Sequence, residues 1–173
     1  MTHPLVLQLR FTRSEFRRAL KGVTADEGQR RFEPMNSISW IIGHLAWQEQ
    51  LYWLTRPQGI TPAPVVNEMA SGAPASNPPL DEMWEAWHTI TRAADPWLDT
   101  LTSAQLTTHV MRKDKDEPYK ESLGSQMRRT TYHYWFHIGE SQAIRQLLGH
   151  TGLPIFVGDI HDKAPYVLES DQS

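Results

Sequence analysis

Apolar positions recur at helical spacing in four separate stretches, and nowhere does an apolar–polar alternation persist as it would along a half-buried strand. Leu5, Leu9, Phe16 and Leu20 mark the first stretch. Pro4 suits an opening turn, where its missing N–H is no loss, and Gly22 is a stop, so a helix is predicted over 4–21. Residues 22–36 are polar and end in EPMNS, where Asn36 or Ser37 can cap a second helix over 38–55. One face of that helix carries Ile41, His44, Gln48 and Leu51, and Gly43 within it marks a close approach by a neighbouring element.

Residues 56–79 are rich in Pro, Ala, Ser and Gly and read as a long crossover that lines the mouth of any pocket. Connections of this length are uncommon inside a domain and are often functional. A third helix is predicted over 80–101 from Met83, Trp84, Trp87, Ile90, Ala94, Leu98 and Leu101, with Asn77 as its cap and Pro96 expected to kink or split it. The charge-alternating RKDKDEPYKE reads as a solvated loop. Ser122 caps a fourth helix over 123–148, and Gly149 closes it. The remaining residues carry Leu153, Ile155, Phe156 and Val157 and are expected to pack on the bundle or on a partner subunit. The fold class is therefore all-α: a four-helix bundle over 1–150 with a long crossover between helices two and three, followed by an extension over 151–173.

Composition narrows the chemistry. The 173 residues suffice for one domain with its own core, to which seven Trp contribute much area. A formal charge of −3 gives no field suited to nucleic acid or to an anionic membrane, and neither partner is expected. The first residues meet charge too early for a secretory signal, and no run approaches a membrane span, so a soluble cytoplasmic protein is the expectation. There is no Cys, which excludes disulfides, a cysteine nucleophile and thiolate metal sites. Any metal must be held by His, Asp or Glu, and any thiol chemistry must use a thiol from outside the chain.

The stretch TYHYWFHIGES places His133 and His137 one helical turn apart, where both can close on one ion. Their stripe, Thr130, His133, His137, Glu140, Ile144 and Leu147, continues into apolar residues and is expected to face inward. Two hydrogen-bonded core histidines would give the same pattern, and the Glu of the HExxH peptidase motif is absent. His44, set among Ile41, Ile42 and Leu45, supplies a third ligand if the second and fourth helices face each other. Three histidines leave coordination positions open, in the manner of a catalytic site. Glu140 is a base, an occasional ligand or a carboxylate behind a ligand, or else a plain helix contact. Gln48 is read as bundle packing with a local hydrogen bond, His88 as an ordinary position, and His3, His109, His150 and His161 as solvent-exposed.

NSISWIIGHLAWQEQLYW and YHYWFHIGESQAIRQLLGH, in this order and separated by a long crossover, resemble the second and fourth helices of the DinB/YfiT-like superfamily over about residues 4–150. The resemblance implies an up-down-down-up bundle, often a homodimer, with a divalent metal on His44, His133 and His137. It also implies a metal such as Zn2+ or Ni2+, with Mn2+ or Fe2+ as alternatives. Characterised relatives include transferases and isomerases that use low-molecular-weight thiols such as mycothiol or bacillithiol. Gly139-Glu140 stands where many relatives have Gly-Gln, so Glu140 is a departure from the pattern. The function expected is a metal-dependent transferase joining such a thiol to a small electrophile, with Glu140 orienting a ligand or moving a proton. The alternatives are a metal-dependent small-molecule hydrolase and a non-enzymatic metal-binding or dimerisation module.

Overall fold

His3 opens the first helix, α1 (Pro4–Ala19): its Nδ1 accepts the Leu5 amide and caps the free backbone end. Its other ring nitrogen lies 3.2 Å from Ser103 Oγ, and the ring is buried rather than solvent-exposed as its terminal position suggests. The computed structural model describes residues 2–155 and 157–167. Among these it is helical throughout, with a single isolated bridge between Met111 and Pro118 and no strand.

α1 ends at Ala19, and Gly22 takes the left-handed conformation just beyond it. The polar stretch that follows holds a short helix, α2 (Ala25–Gln29), where no apolar periodicity predicts one. Thr24 and Glu27 form a reciprocal capping box that stabilises it without any apolar periodicity. His150, expected in solvent, bridges this box to the end of the bundle: Arg145 Nε donates to its Nδ1 at 3.0 Å, and its Nε2 meets Glu27 Oε1 at 2.9 Å.

Ser37 accepts the Trp40 amide and caps α3 (Ile38–Glu49). The helix continues as a wider π turn over Gln50–Thr55 and then α4 (Arg56–Gln58), closed by Gly59 at φ +75°. The crossover contains a 3₁₀ segment, Pro64–Met69. α5 (Leu80–Leu98) starts after Pro79, which has no side chain to cap with, while Asn77 instead accepts Gln29 Nε2 through its carbonyl. Pro96 does not split α5, because it falls in the last turn and the helix ends two residues on. α6 (Ser103–Leu106) is a short turn with its own capping box. Ser122 caps α7 (Leu123–Leu147), and Gly149 at φ +86° ends it.

α3 packs on α5 and on α7, and α1 packs on α7. Phe16, Ile41, Ile42, Leu45, Met83, Ile90, Met127 and Ile144 fill the space between them. Gly43 has the role expected of it: a Cβ there would lie 2.6 Å from Met83 Sδ and 2.9 Å from Met69 Cε, so α5 and the crossover both approach α3 at this point. Beyond α7 the chain returns along α1. Gly158 N donates to Glu15, Arg18 to the Ile155 carbonyl and Gln8 to the Ala164 carbonyl. Ile155 is exposed on the single chain, and α8 (Ile160–Lys163) holds no buried residue. Phe156 lies outside the described residues.

One polar chain crosses the apolar interior. Arg13 on α1 donates to both oxygens of Glu49 on α3, at 2.7 and 2.5 Å, and to Asp95 on α5 at 2.7 Å. Tyr134 on α7 donates to Glu49 at 2.9 Å and accepts from Trp87 Nε1 at 2.7 Å. Burial alone would push the Arg13 guanidinium down, but the facing Glu49 carboxylate overrides it and the net shift is upward. Burial, and then the Glu49 charge, raise Tyr134, so its hydroxyl keeps the proton that it donates.

Glu49→Ala leaves the Arg13 charge buried without its main partner and should cost about 3–5 kcal/mol of stability in urea unfolding. The double variant Arg13→Met/Glu49→Met should lose less than the sum of the two single variants. Additive losses would show that the pair does not act as a unit.

Candidate metal centre

His44 lies in the middle of α3, stacked between Trp40 at 4.7 Å and Trp47 at 5.5 Å between ring centroids. These residues are one turn before and one turn after it, so the helix itself builds the sandwich. His44 Nδ1 is 2.7 Å from the Met69 carbonyl, at the end of the 3₁₀ segment. A carbonyl can only accept, so Nδ1 carries the hydrogen and Nε2 presents a lone pair.

The same arrangement is repeated on α7. His133 Nδ1 is 2.8 Å from Gln48 Oε1, and His137 Nδ1 is 2.7 Å from Glu140 Oε2. Each outer nitrogen thus donates to an acceptor, and each Nε2 is left as a lone pair. The His44 and His133 Nε2 atoms are 3.3 Å apart, and those of His133 and His137 are 3.0 Å apart.

Three lone pairs this close repel one another unless a positive charge sits among them. A proton is one candidate, but burial first, and then the neighbouring rings, push the His133 imidazole down to about 3. Burial also lowers His44. Both rings are therefore neutral at neutral pH, the state in which imidazole binds metal. Two nitrogens on one tetrahedral Zn2+ at 2.0–2.1 Å lie about 3.3 Å apart. The observed separations are close to that value, and the ligand atoms of all three histidines fall within 4.8 Å of one another, a group that could hold a metal ion. His44 and His137 are buried and His133 is half-buried.

The sequence pattern that defines the DinB superfamily matches residues 8–141, well over half of the chain. The chain belongs to the DinB superfamily. The match includes His44, His133, His137 and Glu140 and ends one residue beyond the last of them. No curated protein matches the chain. No helix among the described residues of this DinB bundle is long and apolar enough to cross a membrane.

In this DinB protein the centre opens on a cavity of about 790 Å³. His44 and His133 form part of its wall together with Trp47, Gln48, Tyr52, Ser71, Tyr132 and Phe136, and Glu121, Ser125, Arg128 and Arg129 line the rest. Ser71 brings the long crossover to the cavity, where the sequence reading expected it. Glu140 stands behind His137, against the nitrogen that faces away from the other two rings. His88 packs on Trp84 and Trp87 in a different part of the bundle. His109 bonds the Tyr119 carbonyl and His161 is exposed, so neither joins the centre.

Four contributors were missed or understated in the sequence. Gln48 holds His133, a role its position one turn after His44 permits but does not announce. Trp40 and Trp47 were legible from their spacing around His44. The Met69 carbonyl has no side-chain signature at all. On α7, Leu147 departs from the inward stripe predicted for it and is exposed.

Gln48→Ala and Glu140→Ala each remove an acceptor that fixes a ring. Each should weaken Zn2+ or Co2+ binding about 10–100-fold by competitive chelator titration, while His44→Ala and His137→Ala should abolish stoichiometric binding. The metal-free protein should also lose stability as pH falls. A folded-state His133 near 3 lies below the unfolded value of about 6.5, so the unfolded chain binds more protons below 6.5 and the loss grows down to about 3. His133→Ala should flatten that part of the stability–pH curve; an unchanged slope would show that this ring does not titrate as buried.

Proposed function

We propose that this DinB protein is a metal-dependent transferase that joins a low-molecular-weight thiol to a small electrophile. The observation that carries the reading is the convergence of three imidazole lone pairs at the wall of an open cavity, with every outer ring nitrogen already engaged. Three protein ligands, two of them on the cavity wall, suit chemistry better than a closed structural site. The chain has no cysteine, so the sulfur comes with the cosubstrate.

In the proposed transfer the thiol loses its proton to solvent, its sulfur lone pair forms a bond to an electrophilic carbon, and the leaving group departs with the bonding pair. Bound at the three histidines, a Zn2+ or Ni2+ ion would supply the Lewis acidity that keeps the sulfur as thiolate at neutral pH. Met69, Gln48 and Glu140 hold the rings in the orientation that directs Nε2 inward. We assign Glu140 a positioning role through His137. Trp47, Tyr52, Tyr132 and Phe136 offer flat apolar walls for the electrophile.

Co2+-loaded protein should develop a sulfur-to-cobalt charge-transfer band with 2-mercaptoethanol and should then consume an aryl halide such as 1-chloro-2,4-dinitrobenzene. Both signals should vanish in His137→Ala. Absence of the band with every thiol, together with metal-dependent cleavage of a nitrophenyl ester, would replace this reading with that of a hydrolase.

A further inference from the structure

A second cavity of about 440 Å³ adjoins the one at the three histidines, and the two share Tyr52, Glu121 and Arg129 as walls. Five basic side chains face this combined cleft against two acids, in a chain whose net charge is −3. The excess is not dispersed at random. Arg129 is neutralised by Glu121, with Nε 2.9 Å from both oxygens, and Arg112 by Asp114 at 2.9 Å. Arg128, Arg56 and Lys120 have no ion pair among the described residues.

Arg56 makes no ion pair among the described residues but is held between two aromatic rings, and, after the Arg129 hydrogen bond, its charge helps to lower the neighbouring Glu121 carboxylate. Its guanidinium carbon sits 4.0 Å from the Tyr119 ring centroid and 4.8 Å from that of Tyr52. Its Nε is buried and has no hydrogen-bond partner. A buried donor left unpaired is costly, and a fixed guanidinium loses little freedom when it binds an oxyanion. Arg128 lines the first cavity, one turn before Tyr132 on α7, and Arg56 lines the second.

We infer that the cleft takes an elongated small dianion, with its oxyanion groups on Arg128 and Arg56 and its reacting end at the three histidines. This rests on the thiol-transfer reading for the reacting end only; the recognition of charge is a property of the cleft itself. Carboxylate and phosphate share the chemistry that the two guanidinium groups select.

The test compares thiols of different charge on the Co2+-loaded protein: 2-mercaptoethanol, 3-mercaptopropionate and mercaptosuccinate, followed by the charge-transfer band. Affinity should rise with negative charge and fall with added salt. The ratio of mercaptosuccinate to mercaptoethanol affinity should drop about tenfold in Arg128→Gln and again in Arg56→Gln. A ratio that survives both substitutions would come from chelation of the ion by the carboxylates, and a ratio near one in the parent protein would mean that charge is not read; either outcome overturns the inference. Arg56 is partly buried and its loss could disturb folding, so the exposed Arg128 variant decides the matter if Arg56→Gln has a lowered melting point. Glutarate and glycerol 3-phosphate, which carry no sulfur, are titrated calorimetrically in parallel. Their binding, weakened in Arg128→Gln, would support the anion cleft even if no thiol gave a band, and the tighter of the two names the source of the oxyanion. Failure of both to bind, with thiols bound regardless of charge, would overturn the inference and leave the thiol reading intact.

Discussion

The buried Glu49 carboxylate is the constraint around which the bundle is arranged. An unpaired carboxylate in this interior would cost several kcal/mol, so each helix that meets it must bring a donor or support one. Arg13 comes from α1 and Tyr134 from α7, while Trp87 and Asp95 on α5 hold those two donors in turn. The hydrophobic residues around the network would tolerate small slides of one helix along another, because apolar contact is non-directional. The hydrogen bonds do not, and they select one register.

That register is what brings the three histidines together. Glu49 lies five residues after His44 on α3, and Tyr134 immediately follows His133 on α7. The Tyr134–Glu49 bond at 2.9 Å, the His133–Gln48 bond at 2.8 Å and the His44–His133 approach at 3.3 Å are successive rungs between the same two helices. The π turn begins at Gln50, directly after Glu49, and Gln50 reaches sideways to bond both the amide and the carbonyl of Ala63. The crossover is thereby anchored before its 3₁₀ segment, which runs to Met69 and its bond to His44. Gly43 completes the arrangement, since a side chain there would displace Met69 and Met83. A long connection that reads as a loop is thus part of the centre.

Much of this was legible in the sequence, and the limits have a physical origin. Periodicity located the four long helices, and Ser37, Ser122, Gly22 and Gly149 marked caps and stops, because these signals are local. The i, i+4 pair His133 and His137 is local too, and His44 entered through the order of motifs. What stayed hidden depends on partners far apart in sequence. Nothing near Arg13 says that its partner is Glu49, and nothing near His150 points to Glu27. α2 is held by a capping box and lacks an apolar face, and Pro96 is harmless only because the helix ends there. Each is a case where position within an element outweighs residue type.

α7 shows the same principle from the opposite side. Its interior positions hold Thr130, His137, Ser141 and Arg145, while Tyr132 and Phe136 stand exposed beside the cavity. The buried polar residues stand among Met127, Tyr134, Ile138 and Ile144, which are buried as on an ordinary surface helix. Both departures are costly: buried polar groups need partners, and exposed aromatics bring no burial. Thr130 and His137 among these buried polar groups are bonded, and the aromatics border an open space large enough for a ligand. A helix that departs from the folding pattern in this ordered way is one whose residues are chosen for a site. Arg128 and Arg129, one turn earlier on the same helix, line the same cavity as Tyr132, Phe136 and His133.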